Sequence, residues 1–426
     1  TPEKDPWNGF ETVFANNDYL AALVDRASLI SGSSLDGKSM AAMFYENQFQ
    51  RLWDELNAAI GNFWKIPNGR ERLSALSYLI SAQALILMHY DDYPSARITL
   101  EKAVHLDPSN APSRLLLAEA LAGEGDFRQA QQVVEPLLHQ GPHPVRLSAL
   151  LSLIAQHNAL MEKALYHWNR VMEQIRPSQA DEFRRKFLEA EVFVEKRFRT
   201  YSTQKYIIRY ESVFEDRKDK VLGPVMAMVD EASTILNKRF GMRPDNRTLI
   251  ILYSEPTMNR LIGEIFPMME AFFSLEDSNL RISIRSEYEE DIRVLRPIII
   301  HECVHRLIHY KTGGRLRIRW FHEGMASWYE KAETGQDRFA EFARSSMENT
   351  VDIRTLMRDE VSPYSYYQAR LVIEYMMTRF GEVRIMKFLD RIGEGAGLNE
   401  ALEEALGMNY DRLAETVVRD VKPACF

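Results

Sequence analysis

The chain has 426 residues, of which 46% are hydrophobic and 27% charged, and its formal net charge is −8 at pH 7. This length is sufficient for two domains that each bury a core, and the negative charge argues against a nucleic-acid partner. No apolar run approaches the roughly 18 residues of a membrane-spanning helix. The two cysteines, Cys303 and Cys425, exclude a disulfide framework.

The first 70 residues show helical patterning without a repeat. Leu20, Leu23 and Val24 recur at helical spacing, and a similar cluster surrounds Phe49 and Trp53. We expect residues 1–70 to form packing helices or an N-terminal helical cap.

Residues 71–178 carry a repeat with a period of 34. Three alanines and three bulky residues each recur at this interval: Ala96, Ala130 and Ala164, and Tyr93, Phe127 and Met161. This period, with a small residue at a tight helix crossing, is the signature of tetratricopeptide repeats. About three units are visible, the number normally needed to bury a continuous core. The repeats are expected to recruit a protein partner on their concave face.

Residues 179–199 are rich in charges, with apolar residues every three or four positions, which predicts an amphipathic connecting helix. Near residue 200 the pattern changes to alternation, and residues 206–210, 248–253 and 279–285 are candidate strands. Residues 222–240 are predicted to form a helix between the first two of these candidate strands. In the third candidate, apolar residues alternate with Arg281, Ser283 and Arg285, which predicts a half-buried strand.

The most informative pattern is His-Glu-x-x-His, formed by His301, Glu302 and His305 on a helix predicted from Ile298 to Tyr310. Histidines four residues apart lie on one helical face, so both rings can reach one tetrahedral Zn²⁺. Glu302 projects beside them, where it can take a proton from a water in the open coordination position.

A third ligand is available in Glu323, eighteen residues beyond His305. A turn at Gly313 and Gly314 would bring its segment back against the first helix. Two histidines, one later glutamate and a water are typical of a catalytic zinc site, because one position stays open.

Two competing ligand sets can be excluded. The extended zinc pattern would need Gly at position 308 and His at 311, where this chain has Ile308 and Lys311. His309 lies about 12 Å along the helix axis from His301 and cannot share a metal with it. Cys303 points away from the histidine face and is expected in the core.

These residues resemble the active-site core of the gluzincin metallopeptidases, specifically the bacterial peptidase MA-like family often found behind tetratricopeptide repeats. The matching positions are His301, Glu302, His305, Trp320, Glu323, Gly324, Ala326 and Trp328. The resemblance covers about residues 200–420. It implies a small sheet before the active helix and an extracytoplasmic location, periplasmic or secreted, for a mature chain whose signal peptide has been removed.

The chain departs from the family pattern at one position and matches it weakly at another. Thermolysin-like members orient the first histidine with an aspartate four residues after the glutamate ligand, and here that position is Ser327. The orienting group is therefore either a hydroxyl or comes from elsewhere. The family's downstream tyrosine motif resembles the segment from Tyr366 to Ala369, which implies Tyr366 as the oxyanion donor. The alternative is that these tyrosine rings simply pack in the C-terminal helices.

The sequence therefore predicts an α+β protein: all-α tetratricopeptide-type repeats, then a gluzincin-like metallopeptidase domain at residues 200–426 with a helical C-terminal lobe. One Zn²⁺ per chain would be held by His301, His305 and Glu323, with Glu302 and Tyr366 as catalytic residues acting on a peptide or protein substrate. The alternative is a catalytically idle zinc domain whose repeats act as a protein-binding adaptor.

Overall fold

The computed structural model describes residues 16–64, 69–90, 92–139, 143–242, 248–262, 270–274, 277–316, 318–338, 355–356 and 365–421. The chain divides into two compact units, Thr1–Phe193 and Val194–Phe426. Each unit buries its own hydrophobic cluster.

The first unit is built from helices. They are α1 (Asn16–Ser31), α2 (Gly37–Tyr45), α3 (Phe49–Phe63), α4 (Arg70–His89), α5 (Tyr93–Leu106), α6 (Ala111–Gly123), α7 (Phe127–Val134), α8 (Val145–His157) and α9 (Met161–Met172). Helix α10 (Gln179–Glu195) follows and corresponds to the predicted connecting helix. It ends before residue 199, because Phe198 already begins a strand.

The 34-residue period corresponds to three helix pairs, α4 with α5, α6 with α7, and α8 with α9. Tyr93, Phe127 and Met161 are the first residues of the second helices. The three periodic alanines follow three residues later and are completely buried. A larger side chain at any of them would separate the packed helices, which is why the period appears in the sequence.

Helix α1 packs against two of the first helices, α4 and α8. Arg146 of α8 lies over the Tyr19 ring at 4.6 Å from its centroid and donates a hydrogen bond of 2.8 Å to Asn16 Oδ1. Arg146 also pairs with Glu119 of α6. Helix α1 contacts α4 extensively, and its apolar residues, including Tyr19 and Leu23, are completely buried. Helix α1 thus packs on the repeats, and its buried side chains belong to the same hydrophobic cluster as theirs.

The second unit combines a small sheet with helices. Its elements are β1 (Phe198–Ser202), β2 (Tyr206–Glu211), α11 (Lys218–Phe240), β3 (Thr248–Ser254), α12 (Glu255–Ile262), β4 (Ala271–Phe273), β5 (Leu280–Ile284), α13 (Leu295–Thr312), α14 (Arg319–Thr334), α15 (Tyr366–Phe380), α16 (Glu382–Glu394), α17 (Leu398–Leu406) and α18 (Tyr410–Asp420). The strand order is β1-β2-β3-β5-β4. Strands β2, β3 and β5 run parallel, while β1 and β4 are antiparallel to their neighbours. The chain is thus mainly helical with a small mixed sheet.

The three predicted strands are present as β2, β3 and β5, but the half-buried pattern predicted for β5 is wrong. Arg281 and Ser283 are buried, as are the apolar residues between them. The Arg281 guanidinium forms two hydrogen bonds to the Asp277 carboxylate, at 2.7 and 3.1 Å. This pairing compensates the cost of burying the charge, so both faces of the strand can be covered.

Across the described ranges, the structure contains no helix that is both long and apolar enough to cross a membrane.

Candidate metal centre

Helix α13 carries the His-Glu-x-x-His pattern and has the ends that the sequence predicts. Pro297 lies in its first turn, where the missing N–H is not needed. Gly313 closes it in the left-handed conformation at φ 58°. The helix is buried around most of its circumference, His301 and Glu302 included. A helix this enclosed holds its functional side chains in fixed positions.

Helix α14 brings Glu323 to the two histidines. Glu323 Oε2 lies 3.3 Å from His301 Nε2 and 3.5 Å from His305 Nε2. One donor atom from each of the three residues lies within 4.8 Å of the other two. Among the described residues, this is the group of histidine and acidic side chains arranged to hold a metal ion.

The separations suit tetrahedral coordination. An ion bound at about 2.1 Å by nitrogen and oxygen ligands places those ligands about 3.4 Å apart at the corners of a tetrahedron. The two separations that involve Glu323 match this edge length. Two imidazoles and a carboxylate are also a ligand set that zinc accepts while keeping a fourth position open.

The electrostatics of the site favour a positive charge between these groups. Burial opposes ionisation of Glu323, but His305 and His301 hold the pKa of its carboxyl well below the ordinary value. Burial also lowers the pKa of His301, yet its hydrogen bonds with Glu323 and Glu330 outweigh this and raise the pKa to about 10. A cation at His301 Nε2 is therefore stabilised by its surroundings.

Glu302 is held by the edge strand of the sheet. Its Oε2 accepts a hydrogen bond of 2.8 Å from the backbone N–H of Phe273 in β4. Among the described strands, β4 pairs only with β5, so the other side of its backbone can bind groups outside the sheet. The carboxylate is thereby fixed beside the ligand group and is nearly buried, at 8% exposure.

Tyr366, the first residue of α15, also lies at the site. Burial raises the pKa of its hydroxyl, and the charges of Glu323 and Glu302 raise it further, while Arg319 opposes them. The hydroxyl shares a hydrogen bond with Glu323. It therefore stays protonated and is available as a donor near the ligands.

Gly324 allows α15 to pack closely against α14. A Cβ atom at this position would lie 2.5 Å from the backbone oxygen of Ala369, far inside van der Waals contact. Because Gly324 has no side chain, α14 and α15 pack closely. This packing carries Tyr366, one turn before Ala369, towards Glu323.

The other ring nitrogen of His301 faces Glu330, a residue that the sequence analysis missed. Glu330 Oε2 lies 3.1 Å from His301 Nδ1. The Ser327 hydroxyl is buried and makes no hydrogen bond within the described part of the chain. Glu330 follows Glu323 by seven residues, two helical turns along the same face, and this spacing was the available signal.

The other histidine of α13 and its cysteine lie outside this group. His309 is buried, with its ring centroid 6.1 Å from that of Phe273. Cys303 lies in the hydrophobic core, where burial raises the pKa of its thiol to about 12. Cys425 falls outside the described residues.

Comparison with known proteins identifies one part of the chain. The full sequence matches no curated protein. Residues 87–154 match the tetratricopeptide repeat family. The predicted repeats are thereby confirmed for this segment.

Proposed function

We propose that this protein is a zinc-dependent peptidase of the gluzincin type, with the metal held by His301, His305 and Glu323. The observation that carries the proposal is the convergence of these donors at tetrahedral spacing. A carboxylate, Glu302, and a phenol, Tyr366, lie beside them.

The chemistry divides between the metal and the chain. Bound zinc would polarise the scissile carbonyl and lower the pKa of a water molecule. Glu302 takes the proton of that water and delivers it to the departing amine. The Phe273 N–H keeps its carboxylate in place for both transfers. Tyr366 donates a hydrogen bond to the oxygen that gains negative charge in the transition state.

The repeats, in this proposal, bind a protein partner or substrate. Helix α1 covers first helices of the pairs, and α4, α6 and α8 are largely buried. Exposed apolar side chains lie instead on second helices, at Ile98 of α5 and Tyr166 of α9. We therefore propose that the partner contacts the second helices.

The adaptor alternative rests on the repeat match and on Ser327, which cannot supply the family's orienting acid. Glu330 lies where it can supply that acid instead, which removes the support that Ser327 gives to an idle zinc domain.

Substitution of Glu302 by Gln tests the proposal. The amide keeps the size of the side chain and an acceptor for the Phe273 N–H, but it cannot take a proton. We expect zinc stoichiometry to stay unchanged while hydrolysis of a mixed peptide library falls by about 10²–10⁴-fold. New peptide termini, detected by mass spectrometry with and without chelator, provide the measurement.

Glu333→Gln is the matched control, because Glu333 pairs with Arg239 and makes no contact with the ligands in the described structure. It should cleave like the wild type. Undiminished cleavage by Glu302→Gln would refute the role of Glu302. A zinc-loaded wild type that produces no new termini would favour the adaptor.

A further inference from the structure

Glu330 is a buried acid that the His-Glu-x-x-His pattern does not include. It lies on α14 with a side chain only 1% exposed, facing the Nδ1 atom of His301. An acid removed from water to this extent is costly unless it is paired and hydrogen-bonded.

Arg338 supplies that pairing. Its Nε and one terminal nitrogen donate to the two Glu330 oxygens, at 2.6 and 2.9 Å, in a bidentate arrangement. Its other terminal nitrogen donates to Glu270, immediately before β4, at 3.2 Å.

We propose that Glu330, clamped by Arg338, is the positioning residue that orients His301 for metal binding, in place of the acid expected at position 327. This inference rests on the metal site of the proposed function but not on peptide hydrolysis. A carboxylate that accepts the Nδ1–H hydrogen bond fixes the tautomer with its lone pair at Nε2. Nε2 is the nitrogen that faces Glu323.

The same clamp connects the metal ligand to the sheet edge. Arg338 bridges Glu330 and Glu270, and β4, which begins one residue after Glu270, carries the N–H that holds Glu302. The general base and the first histidine are therefore positioned from one strand. Substitution of Glu330 should affect metal binding more than any other property, because Glu330 contacts His301 directly.

Zinc affinity tests the proposal without reference to turnover. The metal-free full-length chain would be titrated with zinc against a chromogenic chelator, for the wild type, Glu330→Gln and Glu330→Asp. We expect Glu330→Gln to weaken zinc binding by about 10–100-fold, because the amide lacks the charge that raises the basicity of the ligand. Glu330→Asp keeps the charge and should recover part of this loss.

Cobalt provides a second readout. The visible absorption of the Co²⁺-loaded protein reports ligand geometry, and we expect its band to shift in Glu330→Gln. Glu333→Gln, three residues further along the same helix and paired with Arg239 instead, is the control and should match the wild type in both measurements.

Wild-type zinc affinity and an unchanged cobalt spectrum in Glu330→Gln would overturn the proposal. If Glu330→Gln does not fold, the Glu330→Asp variant provides the test. A folded Glu330→Asp protein that binds zinc no better than a Glu323→Ala variant would also overturn the proposal. A wild type that binds zinc but cleaves no peptide would refute the peptidase and leave this inference intact.

Discussion

At the scale of single residues, the convergence of the three candidate ligands could be predicted, but the groups that contact the candidate site residues could not. The spacing of His301 and His305 follows from the helix repeat alone, so the sequence is sufficient to place them on one face. Phe273 and Glu330 act through contacts that span 29 residues of chain each. Such contacts depend on how separate elements pack, which no local pattern reports.

Tyr366 provides the sharpest single-residue prediction. Substitution by Phe removes only the hydroxyl that shares a hydrogen bond with Glu323. If it stabilises the transition-state oxyanion, kcat should fall by about 10²–10³-fold while KM changes little and zinc stays bound. Steady-state kinetics on a cleaved peptide measures kcat and KM, and metal analysis of the same sample measures the bound zinc.

Tyr367→Phe removes the neighbouring hydroxyl from a ring that packs against Arg370 and serves as the control. We expect wild-type kcat from this variant. Equal kcat values for the two phenylalanine variants would contradict a catalytic role for Tyr366.

At the scale of elements, the long periodic segments were predictable and the short ones were not. Helices α11 and α13 and strands β2 and β3 have patterns that extend over many residues. Strand β4 has only three residues, Ala271–Phe273, too few to show alternation. Strand β1 is exposed along most of its length, so it lacks an apolar face that would distinguish it from the preceding helix. The burial of Arg281 depended on Asp277, a partner outside the strand.

The close packing of α14 and α15 can be tested at Gly324. Alanine there would meet the backbone of Ala369, so the two helices must separate. We expect a loss of about 1–3 kcal/mol in the free energy of unfolding from this overpacking. We also expect kcat to fall, because Tyr366 moves away from Glu323. Denaturant unfolding and peptide kinetics are the measurements.

Gly61 offers a matched glycine within α3, with no atom within 4 Å of a Cβ built there. Gly61→Ala should stabilise the protein by about 0.5–1 kcal/mol, through the higher helix propensity of alanine. If Gly324→Ala behaved in the same way, the account of its close approach would be wrong.

At the scale of the whole molecule, the sequence indicated two parts of different character, and the structure has two compact units with separate cores. The repeat period was readable because Ala96, Ala130 and Ala164 each occupy the same tight position. The position of α1 could not be predicted from the sequence, because this helix packs on the repeats without sharing their period.

Zinc should stabilise the molecule if only the folded chain brings the three ligands together. At a free zinc concentration about 1,000 times Kd, the gain in unfolding free energy is about 4 kcal/mol. Thermal unfolding of the full chain with zinc and with chelator measures this difference. Glu323→Ala should lose most of the gain, and an equal gain in both proteins would show that zinc binds elsewhere.

The metal centre itself is tested most directly by anomalous scattering at the zinc edge from crystals of the zinc-loaded protein. We expect one peak about 2.1 Å from His301 Nε2, His305 Nε2 and a Glu323 oxygen, with solvent at the fourth corner. A peak absent from this point, or a fourth protein atom in the position of the solvent, would contradict the proposed catalytic site.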